Sequence, residues 1–146
     1  MVYIRQARTE DVERIAEIYI FNYRLNFYPI FRDDTFYFKV LMVSNLSASF
    51  ENELDTIWVY DDGVVKGFIQ IEEREVRKLF VEPVLQGQSI GAELLEYGIS
   101  TKNVNTLWAL EKNTKAIAFY KRHGFVITDD KKYEEDTTEF LVRMER

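Results

Sequence analysis

A chain of 146 residues, 47% apolar and 30% charged, can bury roughly two thirds of its unfolded surface around one core, so a single domain over residues 1–146 is expected. Its net charge of −6 speaks against a nucleic-acid partner, which needs a clustered basic surface, and suits a cationic acceptor such as an amine. With no cysteine, a disulfide scaffold, a thiolate metal site and a cysteine nucleophile are excluded, and with His123 as the lone histidine no metal is expected.

No apolar run nears the roughly 20 residues that cross a bilayer, and M-V-Y-I-R-Q lacks the apolar core of a signal peptide. A cytoplasmic protein with no membrane partner is expected. Residues 2–6 alternate apolar and polar and predict a first strand. Thr9, with Glu10 and Asp11 behind it, predicts a helix cap, and Val12, Ile15, Ala16, Ile18 and Tyr19 follow on one helical face. Between Tyr19 and Phe50 aromatic rings are dense. Pro29 interrupts this stretch, and Asp33-Asp34-Thr35 predicts the start of a second helix over about residues 36–45. Rings in such number predict partly core and partly the wall of a binding pocket.

From residue 55 the pattern turns to period two. T-I-W-V-Y, the turn Asp61-Asp62-Gly63 and V-V-K-G-F-I-Q-I predict a hairpin. A strand over 75–81 follows through a short link and is expected to lie antiparallel. There Val76 and Leu79 are three apart but Leu79 and Val81 two apart, which predicts a bulge. Pro83 stops this strand. The loop holding Gly87 and Gly91 then feeds a helix beginning near Ser89, with Ile90, Leu94, Leu95 and Ile99 on its core face. Amides at such a helix start point outward with the positive end of the helix dipole behind them, an anion cradle made of backbone.

Residues 104–110 read as a strand entered after a helix, hence parallel to 75–81. Asn113 and Thr114 predict the cap of a last helix that Gly124 ends. Two strands, 125–128 and 138–144, are expected to close the chain, separated by the charged link D-D-K-K-Y-E-E-D.

Two motifs now stand in order. The first is an apolar strand ending V-E-P, followed by Q-G-Q-S-I-G. The second is N-T-K-A-I-A-F-Y-K-R-H-G-F. Together they resemble the GCN5-related N-acetyltransferase (GNAT) family. Gln86 and Gly91 match the outer positions of that family's loop, with Ser89 where its middle glycine usually stands. Asn113, Ala116, Phe119, Tyr120, Gly124 and Phe125 match its second motif. The resemblance runs along the whole chain and is weakest in the aromatic segment.

It implies an α/β fold in the order β-α-α-β-β-β-α-β-α-β-β: a mixed, mostly antiparallel sheet of about 6–7 strands flanked by about 4 helices, with a splayed strand pair at the cofactor groove. It implies acetyl-CoA as acyl donor. The donor would be held along Leu79, Phe80 and Val81 and by Gln86, Gly87, Gln88, Ser89, Ile90, Gly91 and Ala92, with Asn113, Ala116 and Phe119 beside its pantetheine arm. Tyr120 would be the general acid that re-protonates the departing thiolate, a task suited to a phenol protonated at neutral pH. Glu75 matches a strand position that some members use as base; Glu72, Glu73 and Glu111 are other carboxylates near strand ends. Lys115, Lys121 and Arg122 would either reach the nucleotide phosphate or form a solvated helix face. The implied reaction is direct transfer of the acetyl group to a primary amine of a small molecule or peptide, by a monomer or homodimer. The alternative is a non-catalytic acyl-CoA-binding or sensing domain.

Overall fold

A computed structural model of the chain describes residues 3–146, so Val2 of the expected first strand lies outside them. In chain order come β1 (Ile4–Gln6), α1 (Val12–Asn26), α2 (Tyr28–Phe31), α3 (Val43–Glu51), β2 (Ile57–Asp61), β3 (Val65–Glu72), β4 (Glu75–Val81), α4 (Ile90–Lys102), β5 (Thr106–Leu110), α5 (Thr114–Arg122), β6 (Val126–Tyr133) and β7 (Phe140–Glu145). The strands form one seven-stranded sheet in the order β1-β2-β3-β4-β5-β7-β6. Every neighbouring pair is antiparallel except β4 and β5, which run parallel as the helix between them requires.

Period-two alternation gives the sheet two buried faces. Phe68 of β3 turns toward α1 and α3, where it joins Ile15, Ile18, Phe50, Ile57 and Val59. Its neighbours Ile69 and Ile71 turn the other way, onto Leu94 and Leu95 of α4. Each such buried aliphatic side chain contributes roughly 1.5–3 kcal/mol by leaving water. The polar exception is Gln70, 2% exposed. Its amide donates to Glu53 and Thr56 and its oxygen accepts from Lys78, so burial leaves none of it unpartnered.

Three local expectations about the elements need correction. Thr9–Asp11 form a 3-10 turn and α1 starts at Val12; the Arg8 amide donates to the Asp11 carboxylate at 2.8 Å, so Asp11 holds the entry that Thr9 was expected to cap. The second helix over 36–45 is not continuous. Asp33 does accept from the Phe36 amide, but Phe36–Val40 is a π-helical turn, the chain breaks at Leu41 and Met42, and α3 starts anew at Val43. This follows from burial: Tyr37 and Leu41 go inward together with Ile20, and their spacing of four residues needs only one wide turn. The charged link after Thr128 is itself strand. β6 runs through Asp129–Tyr133, with a register break between Ile127 and Lys131; an edge strand tolerates these charges because water reaches it.

Two features of β4 set the space beside it. Gln70 pairs with Lys78 but Ile71 pairs with Val76, so Arg77 is the extra residue of the expected bulge. On its other side β4 meets β5 at only two positions, Glu75 with Thr106 and Val76 with Leu107. Beyond the bulge the two strands part.

Candidate active site

The parting of β4 and β5 opens a cleft of about 1120 Å³ on one side and a second of about 590 Å³ on the other. Leu79, Phe80, Asn113, Ala116 and Tyr120 line both, so the two meet there. The Glu82 amide donates to Lys66 and Val81 lies opposite Gly67. Strand alternation therefore turns the N–H and C=O groups of Leu79 and Val81 away from β3 and into the parting.

The smaller cleft is walled by the turn after β4 and the first turn of α4. Among the described residues, the amides of Ser89, Ile90, Gly91 and Ala92 find no acceptor in the protein. Gly87 and Ser89 are both left-handed, with φ of 87° and 67°. Ser89 thus adopts a conformation natural to glycine, and its hydroxyl does not cap α4. Gly91 has no internal reason to lack a side chain. An added Cβ would sit 3.6 Å from Val81 and 3.7 Å from Phe119, ordinary contact distances, and would project into the cleft.

Gln86 points elsewhere than expected. Its side-chain amide donates to Asn22 Oδ1 at 3.1 Å and to the Val81 carbonyl at 3.4 Å, so its contribution to the loop is an internal tie. Asn22, 2% exposed on α1, donates in turn to Ile18 and Val81, each at 2.8 Å. Sequence reasoning passed over Asn22. The signal was its register: Ile15, Ile18 and Asn22 share one helical face, so a polar side chain there had to be buried and satisfied.

Gly87, Ser89, Ile90, Gly91, Ala92, Ala116 and Phe119 all line this cleft, whereas Gln88 does not. Lys115, Arg122 and His123 reach its rim and Lys121 does not; His123 pairs with Glu96 at 2.7 Å. Asn113 caps α5 by accepting from the Ala116 amide, as its position predicted.

Tyr120 stands where the clefts join. It is half-buried, its ring rests near Phe119 and Phe125, and its hydroxyl has no hydrogen-bond partner among the described residues. Burial pushes this phenol up, so it keeps its proton well above neutral pH.

The larger cleft is the pocket anticipated from the aromatic segment. Tyr19, Tyr23, Phe27, Phe31, Phe36 and Tyr37 line it, while Phe21 and Phe38 are exposed elsewhere. Tyr19 and Tyr23 stack with ring centres 4.1 Å apart. Glu75 is on this side with Arg77 at 3.5 Å; Glu72 also faces Arg77, and Glu111 pairs with Lys131, away from the cleft. The turn between β6 and β7 adds Glu134, Glu135 and Asp136 to the lining of the cleft, a contribution that the sequence did not signal. No group of three or more metal-ligating carboxylates or imidazoles occurs among the described residues, and no described helix is long and apolar enough to cross a membrane.

A parallel strand pair splayed past a bulge, with open amides at a helix start on one side and an unpartnered phenol at the junction, defines the class of α/β domain that the two sequence motifs pointed to. The model of the acetyltransferase (GNAT) domain matches residues 53–127. An uncharacterized N-acetyltransferase of Archaeoglobus fulgidus is 32% identical over 129 residues, 80% of this chain and 88% of that protein. The chain belongs to the GNAT acetyltransferase family.

It is also similar to the peptidyl-lysine N-acetyltransferase YjaB of Salmonella typhimurium, 35% identical over 79 residues, which are 49% of this chain and 51% of that protein. The chain thus spans about half the length of that relative. In fold it resembles apo YjaB from Escherichia coli, with a TM-score of 0.76 at 22% identity over 99% of this chain and 97% of that one. The PaiA N-acetyltransferase of Thermoplasma acidophilum, solved with coenzyme A, superimposes with a TM-score of 0.75 at 20% identity over 98% of each chain.

Proposed function

We propose that this protein is an acetyl-CoA-dependent N-acetyltransferase that acetylates a primary amine. The observation that carries the reading is the Tyr120 hydroxyl, unpartnered at the point where the two clefts meet. A half-buried phenol with no partner in the protein keeps its hydroxyl available to a ligand in the cleft.

The smaller cleft fits the donor. Open amides at the start of α4 suit a diphosphate, and the missing side chain at Gly91 leaves room for close approach. The free N–H and C=O groups of Leu79 suit an amide-bearing arm laid along β4 as an extra strand would be. The coenzyme A held by PaiA and the lysine amine named for YjaB support donor and acceptor chemistry of this kind.

When bound, acetyl-CoA supplies an electrophilic thioester carbon and a thiol leaving group. The chain's residues do the rest. The Val81 and Leu79 amides face charge developing on the acyl oxygen. Tyr120 holds the proton that the sulfur needs, and Glu75, on the acceptor side, takes up the proton that the attacking nitrogen sheds. A C–N bond thereby replaces a C–S bond, one proton leaving nitrogen and one reaching sulfur.

The test couples calorimetric titration with acetyl-CoA to thiol release over a panel of amines. Saturable binding and amine-dependent release are expected. No binding at millimolar donor defeats the reading, and binding without release on any amine leaves a binding domain in its place.

A further inference from the structure

We infer that Glu134 selects the acceptor, and that the acceptor is an aliphatic amine carrying a second positive charge, a diamine or longer polyamine. This rests on the acetyltransferase reading and adds to it the chemistry of the larger cleft.

That cleft has an apolar wall and an uncompensated negative lip. Of its cations, Arg77 is occupied by Glu72 and Glu75. Lys78 turns its ammonium to Gln70 Oε1 at 3.1 Å, and Lys132 sits over the Trp108 ring at 4.3 Å. Glu139 is already paired with Lys112 at 2.9 Å. Among the described residues Glu134 meets no cation, although it is half-buried on the wall of the cleft. Its Oε1 accepts the Glu135 amide at 3.1 Å, which leaves the carboxylate's charge unpaired.

Its position is built. The Glu134 amide donates to Glu139 at 2.8 Å and its carbonyl accepts from both the amide and the hydroxyl of Thr137, so the turn between β6 and β7 is tied at its base. This brings the carboxylate close enough to raise, by its charge, the phenols of Tyr19, Tyr23 and Tyr37, on which burial acts first. Glu134 and the rings of Tyr19, Tyr23 and Tyr37 line one cleft, a combination that suits an alkylammonium: the carboxylate receives the charge and the ring edges the methylenes. The reacting nitrogen would sit beside Tyr120 and Leu79, which line the same cleft. One nitrogen must be neutral to attack while the other stays charged against Glu134, so two nitrogens spaced by methylenes fill both places.

The experiment compares α,ω-diamines of increasing length with monoamines of equal length, in the wild type and in Glu134→Gln, by thiol release, with acetyl-CoA binding measured by calorimetry on both. Wild-type kcat/KM is expected to favour diamines about tenfold, and E134Q to bring the diamines down to the monoamines while acetyl-CoA binds as before. Equal rates for diamines and monoamines, an E134Q effect of the same size on both, or a preference for a lysyl peptide overturns the inference and leaves the acetyltransferase reading standing. Failure to bind acetyl-CoA at all overturns both.

Discussion

The side chains of Asn22 and Gln86 meet at 3.1 Å and both donate to the carbonyl of Val81. One pair of amides thereby ties helix α1, the end of β4 and the loop before α4 to a single point. Gln86→Leu keeps the bulk and removes the tie. Acetyl-CoA should bind about tenfold more weakly with kcat within about twofold of wild type. Calorimetry and initial rates decide it, and an unchanged dissociation constant would show that the loop needs no anchor. Asn22→Leu leaves the Val81 carbonyl only the longer bond from Gln86 and takes the acceptor from the Gln86 amide, and should cost about 1–3 kcal/mol in a denaturant titration.

Gly91 and Ser89 separate folding from binding. Gly91→Ala lies in a helix with room for the methyl group, so stability should rise by up to about 1 kcal/mol, while acetyl-CoA affinity falls because the methyl occupies the cleft. A variant that gains stability and keeps its affinity would mean that nothing approaches Gly91. Ser89→Gly should stabilise by about 1 kcal/mol, through relief of the left-handed backbone, with donor binding retained.

Tyr120→Phe keeps the ring and removes the proton. We expect kcat to fall about 10²-fold with little change in acetyl-CoA affinity. Because burial raises this phenol above its ordinary value of about 10, the wild-type rate should hold its plateau to at least about pH 10. A fall in rate centred near pH 9 that the Phe variant lacks would contradict the placement.

Burial raises the phenols of Tyr19 and Tyr23, and pushes Tyr37 up to about 12. The folded chain holds these protons more tightly than the unfolded chain, whose tyrosines titrate at about 10. The stability they confer is full below that value and is lost as pH rises through the interval up to each folded value. Thermal midpoints should therefore fall steeply between about pH 10 and 12, and Tyr37→Phe should flatten that fall. An equal slope in the variant would place the alkaline sensitivity elsewhere.

Much of this architecture could be read from local chemistry. Period-two runs placed β2, β3 and β4 because strand alternation is a property of neighbouring residues. The broken spacing of Val76, Leu79 and Val81 announced the bulge at Arg77, and Asn113 and Gly124 marked the ends of α5. In the same way Q-G-Q-S-I-G marked the loop that feeds α4 and F-Y-K-R-H-G-F the helix that carries Tyr120.

The three-dimensional fold decided what depends on residues distant in the chain. Gln86 reads as a ligand contact in its motif, yet it turns inward because Asn22, 64 positions earlier, offers it an acceptor. The helix anticipated over residues 36–45 gave way to a π-helical turn because Tyr37 and Leu41 had a core to reach beside Ile20. Charged residues that read locally as a link became strand once β7 lay beside them. Glu134 joined Tyr19 and Tyr23 of α1 in the lining of one cleft only through the fold. Local sequence sets backbone preference and periodicity; which side chain meets which is settled by the packing of segments that the chain brings together from far apart.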